Sequence, residues 1–133
     1  MTKLVLTKNN KIGDVQQNFN TAYPFLKLDF HSSNRLNSSL PKRTLFPTSS
    51  LQSAGLKNEG EFEIHDDMTV GEVEQSFKRL FGLNIQVSRK AGMIWLETTK
   101  TDKWSLQKQN EHGREISIPE KEEITDRDAA DIQ

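Results

Sequence analysis

Two stretches of this chain, 58 positions apart, carry one pattern, and the repetition constrains its fold more than any single motif does. The clearer copy is Thr69 to Val87, TVGEVEQSFKRLFGLNIQV. Thr69 and Glu72 stand in the T-x-x-E spacing of a capping box, in which hydroxyl and carboxylate each satisfy a free backbone N–H. Val70, Val73, Phe77, Leu80 and Phe81 follow as one apolar stripe at helical period. Gly82 comes after the last apolar pair, where a left-handed residue ends a helix. LNIQV then alternates as a half-buried strand. The earlier copy is IGDVQQNFNTAYPFLKLDF, in which Gly13, Val15, Gln17 and Phe19 are identical to Gly71, Val73, Gln75 and Phe77. There Pro24 serves as the helix stop, and Phe25 to Phe30 alternates as a strand. A further strand precedes each helix, Lys3 to Thr7 and Glu61 to His65, so each copy reads β-α-β.

Two such units in succession give β-α-β-β-α-β, the ferredoxin-like order of an α+β domain. One sheet is expected, with helices on one face. Leu26, Leu28, Phe30, Phe62, Ile64, Ile85 and Val87 would point at the helices. Lys27, Asp29, His31, Glu61, Glu63, His65, Asn84 and Gln86 would lie on the open face. The rival arrangement keeps the units (about residues 3–31 and 61–88) as separate lobes, or exchanges one between subunits.

Between the units, residues 32–60 read as a long loop rich in Ser, Asn, Pro and Lys. Leu40, Leu45, Phe46, Leu51 and Leu56 are its expected apolar anchors, and Pro41-Lys42-Arg43 its basic spot. After the second unit, Arg89 to Gly92 predicts a hairpin turn and residues 93–98, MIWLET, an added strand. Thr101-Asp102 can cap a short helix from Trp104 to Asn110, with Gly113 as its stop. Residues 1–113 therefore form a single domain, and 114–133 a mobile acidic tail.

Composition excludes more than it assigns. With no cysteine, disulfide staples and thiolate metal sites are ruled out. No apolar run approaches a membrane span, so a cytoplasmic protein without membrane contact is expected. Residues 1–58 carry a net charge of +6 and residues 59–133 a net of −7. RNA-binding sheets present outward aromatics, but here those positions hold Lys27, Asp29, Glu61 and Glu63, and no DNA-binding spacing occurs. Nucleic acid is therefore not an expected partner. No G-x-S-x-G elbow, phosphate-cradling glycine pattern or paired buried acids are present, which predicts no enzyme activity.

The remaining signal is apolar. On MIWLET, Met93 and Trp95 alternate with Ile94 and Leu96, so both strand faces are greasy. Such an edge is covered either by its own chain, here the Trp104 segment, or by another molecule. Met93, Trp95 and Trp104 are thus the candidate partner-binding residues of a protein-interaction module whose partner is another protein or a second copy, as a homodimer. The alternative is a small-ligand or metal-binding sheet face using His31, His65 and Asp67; no catalytic or cofactor-binding residue is expected.

The segment MTVGEVEQSFKRLFGLNIQVSRKAGMIWLETTKTDKWSLQKQN, with VQQNFNTAYPFLKLDFH before it, resembles a group of conserved bacterial proteins with no assigned function. The shared features are the TVGE helix-strand segment, the IWLETT return and the YPFLKL strand, over about residues 12–31 and 68–113. The resemblance implies no activity, ligand or partner.

Overall fold

The computed structural model describes residues 2–32 and 43–118. The elements there are β1 (Thr2–Leu6), α1 (Ile12–Ala22), β2 (Leu26–His31), α2 (Leu51–Ala54), β3 (Gly60–Ile64), α3 (Val70–Phe81), β4 (Asn84–Ala91), β5 (Ile94–Glu97), a 3-10 turn at Thr99–Thr101 and α4 (Leu106–Ser117). The chain is α+β, but its strands make two antiparallel sheets, β1-β3 and β2-β4-β5. The single sheet expected of the ferredoxin-like order does not form. The reason lies in the register. Leu4 pairs with Phe62, its own counterpart 58 residues on. In the other sheet Leu28 pairs with Val87 and Asp29 with Gln86, again symmetric about that offset. Each strand of one unit hydrogen-bonds to the matching strand of the other.

The core follows the alternation. Leu4, Leu6, Phe62 and Ile64 turn inward from one sheet, and Leu26, Leu28, Phe30, Ile85 and Val87 from the other. They meet Ile12, Val15 and Phe19 of α1 and Val70, Val73, Phe77 and Phe81 of α3 in one cluster. Phe77 is its aromatic hub, with ring centroids 5.4 Å from Phe62, 5.6 Å from Phe81 and 6.4 Å from Phe30. Leu80 lies at the margin of the α3 stripe and stays exposed. His31 and Gln86, expected on the open face, are buried.

The α3 termini form as the sequence predicts. The Thr69 hydroxyl accepts the Glu72 N–H (3.1 Å), and the Glu72 carboxylate accepts the Thr69 N–H (2.9 Å). Gly82 closes the helix in the left-handed region at φ 70°. In α1 only half the box is present. Asp14 accepts the Lys11 N–H (3.1 Å), but Lys11 has no side-chain oxygen to return, so the Asp14 N–H bonds to the Lys11 carbonyl (3.0 Å).

The second helix of each half docks in the same way. Ser50 caps α2 and Ser105 caps α4, each hydroxyl accepting a backbone N–H three residues on. Leu51 N–H bonds to the Asn10 carbonyl and Leu106 N–H to the Met68 carbonyl, both at 2.8 Å. Gly13 and Gly71, at corresponding positions in α1 and α3, donate to Pro47 and Asp102.

Three expectations are corrected. The turn before β5 is at Gly92-Met93, because β4 runs on to Ala91. The cap of α4 is Ser105 rather than Thr101-Asp102. Gly113 does not end α4, which continues to Ser117 and takes in the first residues assigned to the tail. The glycine serves close approach instead: a Cβ there would lie 3.0 Å from both Arg89 Cγ and Phe25 Cβ. Among the loop anchors, Leu51 and Leu56 are buried and Leu45 packs partly against the core. Phe46, next to Leu45, points the other way and is 74% exposed. Leu40, Pro41, Lys42 and residues 119–133 of the expected tail lie outside the described residues.

Candidate functional site

Among the described residues β5 is an edge strand, hydrogen-bonded to β4 on one side only. Its register pairs Ala91 with Ile94, Lys90 with Trp95, Arg89 with Leu96 and Ser88 with Glu97. The Lys90 N–H donates to the Phe25 carbonyl (2.9 Å), toward β2 and away from β5. Lys90 and Trp95 are therefore a non-hydrogen-bonded pair, and by the alternation of an antiparallel ladder the backbone groups of Trp95 and Glu97 face the open edge.

The side chains on that edge are apolar and uncovered. Met93, in the turn, is 95% exposed, Trp95 36%, and Ile94 and Leu96 are exposed as well. Ser117 Oγ accepts the Gly92 N–H (3.0 Å), which brings the end of α4 to this turn and sets the exposed Ile116 and Ile118 beside the hairpin. Coverage of MIWLET by its own chain, one of the two expectations for this strand, is not what the described residues provide.

The two tryptophans do not come together. Trp95 lies on the sheet face away from α4, with Lys27 Nζ 5.1 Å from its ring centre. Trp104 sits by α4, with Lys108 Nζ at 4.3 Å, Arg89 Cζ at 5.8 Å and the His112 ring edge-on at 5.5 Å. Arg89 in turn donates to Gln109 Oε1 (2.8 Å). Trp104 thus joins α4 to β4, while Met93 and Trp95 form the free surface.

Trp95 also borders a groove of about 610 Å³ over the open sheet face, with Phe46, Pro47, Thr44, Lys27 and Gln16 among its walls. Gln16 and Asn20 of α1 close the outer edge of β2 there, donating to the carbonyls of Leu28 (2.7 Å) and Leu26 (2.9 Å). A smaller groove of about 440 Å³ lies between β3 and α3, beside His65, Glu63 and Arg79.

The metal alternative finds its residues apart. His31 belongs to β2, opposite Asn84 and bridged to Thr44. His65 follows β3 in the other sheet, exposed, with Glu63 3.9 Å away. Asp67 is exposed in the turn beyond. Among the described residues no group of three His, Asp or Glu side chains is placed to hold a metal ion. Nor does any helix there have the length and apolar character to cross a membrane.

The Tyr23 phenol is strongly perturbed. Burial first, then the hydrogen bond to Asp66 (2.7 Å) and the charges of Asp66 and Asp67, push the Tyr23 phenol well above its ordinary range. Its place, bridging α1 to the turn after β3, makes it a structural tie.

The outward backbone of Trp95 and Glu97 escapes a sequence reading, because strand pairing is not visible in composition. The docking of the second helices did leave a sign: Ser-Leu-Gln recurs at 50–52 and 105–107, each time at a helix start. Comparison of the chain with protein-family models, curated proteins and solved structures finds no match.

Proposed function

We propose that this chain is a non-enzymatic protein-binding module that offers β5 as the docking edge for a strand of another polypeptide chain. The observation that carries the reading is that, among the described residues, no strand pairs with the outer edge of β5 and Met93, Ile94, Trp95 and Leu96 are all exposed. An open edge flanked by large apolar side chains is a template for strand addition, and soluble proteins that leave it bare do so at interaction sites. We infer also that the fold arose by duplication of a β-α-β-α unit, since strand register, helix entry and second-helix docking recur between the halves. On that reading β5 is the feature that the second half elaborated.

A photo-crosslinking residue at Met93 tests the proposal, with the exposed Gln52 on α2 as the control position. An adduct from position 93, to a second copy or to another protein, is expected to form and to disappear when Trp95→Asp is added to a folded chain. Equal labelling from both positions, or none from position 93, would remove the reading.

A further inference from the structure

We propose that the segment received by β5 is acidic: an extended stretch of a partner protein in which carboxylates alternate with apolar side chains. The inference rests on the reading that β5 is the docking edge and adds the chemistry of its occupant. Three observations carry it. The first is the set of backbone groups at Trp95 and Glu97, two residues apart and turned outward, which fits an added strand and no small ligand.

The second is that both faces of β5 are apolar, with Trp95 on one side, Ile94 and Leu96 on the other, and Met93 exposed in the turn before them. An added strand that alternated apolar and polar residues would place its apolar set against one of these faces.

The third is charge. Lys90 lies beside Trp95, and Lys100 and Lys103 follow the strand's end. None of the three meets a carboxylate within 4.0 Å among the described residues, where the ion pairs include Lys3–Glu61, Lys27–Asp29 and His65–Glu63. The nearby carboxylates in sequence are Glu97, on β5 itself, and Asp102. Among the described residues, then, Lys90 and the lysines that follow Glu97 are left for an incoming carboxylate to meet. A second copy pairing β5 with β5 would bring three more lysines with Glu97 as the one carboxylate on the strand, a poorer charge match than an acidic segment.

The test uses the full chain and two synthetic ten-residue peptides, capped at both ends, one alternating valine with glutamate and one valine with lysine. Binding is followed by tryptophan fluorescence at low and physiological salt. The glutamate peptide is expected to bind at least tenfold tighter than the lysine peptide, with the margin shrinking as salt rises. Lys90→Glu together with Lys100→Glu should reduce or reverse that preference. Glu97→Pro removes an outward N–H without touching the β4–β5 ladder, so it should weaken binding at least tenfold while the circular dichroism spectrum is kept. Equal affinity for both peptides overturns the acidic partner and leaves strand docking in place. Full affinity in Glu97→Pro overturns strand docking itself, as does the absence of binding by either peptide. A dimeric mass for the unliganded chain that Trp95→Asp converts to a monomer would assign the edge to a second copy instead.

Discussion

In the first half of the chain, α1 is entered from Lys11 and left at Tyr23; in the second, α3 is entered from Thr69 and left at Gly82. The two helices span corresponding positions and meet corresponding strands, yet their ends and neighbours differ. Phe77 sits among Phe30, Phe62 and Phe81, whereas Phe19, its counterpart, has Tyr23 as its ring partner at 5.4 Å. The first half ends in the four-residue α2, the second in the twelve-residue α4 that braces the β4–β5 hairpin. What this teaches is a division of labour. The shared frame supplies the core, and the surface that differs between the halves supplies the exposed edge.

The comparison can be tested at three matched pairs. The largest effect belongs to the phenylalanines. Phe77→Ala should cost about 4–5 kcal/mol in denaturant unfolding and Phe19→Ala about 3, since ring–ring contacts add roughly 1 kcal/mol beyond burial. Equal losses would mean that the aromatic hub is not special.

Next comes Tyr23, whose counterpart 58 residues on is Phe81, without a hydroxyl. Tyr23→Phe should cost about 1 kcal/mol at neutral pH through the lost bond to Asp66. Because the folded phenol is raised, the folded and unfolded chains are both neutral there below about pH 10. Above that the unfolded chain ionises first, so this contribution is lost as pH climbs. Tyr23 is the chain's one tyrosine, so absorbance near 295 nm reads it directly. A midpoint close to that of the unfolded chain would dissolve the tie.

The smallest effect is at the caps. Thr69→Ala should destabilise by about 1 kcal/mol, and Lys11→Thr should stabilise by about 0.5 kcal/mol by completing the box with Asp14. Thermal melts of both variants would show whether the α1 entry is the weaker of the two.

Much of the frame was legible because it depends on local periodicity. The stripe from Val70 to Phe81, the Thr69–Glu72 box and the Gly82 stop are all readable within one turn or two of helix. The sheet assignment was not, because pairing β1 with β3 is decided by partners far apart in the chain. Nor was the role of Gly113, whose local signal is that of a helix stop but whose place against Arg89 and Phe25 is set by tertiary packing. For the candidate site, the apolar pattern of MIWLET left open whether its own chain or another molecule covers the strand, and the described residues leave Met93 and Trp95 exposed. Trp104 went to the α4 contact, since a tryptophan in the sequence does not reveal which cations will stack on it.

The pairing of every matched strand across the halves has a consequence for how the chain reaches this form. Neither half pairs its own β1 with β2 or β3 with β4, and the β4–β5 hairpin is the one named ladder that a half makes by itself. Productive folding must wait for segments nearly sixty residues apart to meet, and the entropy of closing that separation falls on the rate. Cut within the Lys57–Glu59 link, the two fragments would be complementary pieces, each the missing template of the other.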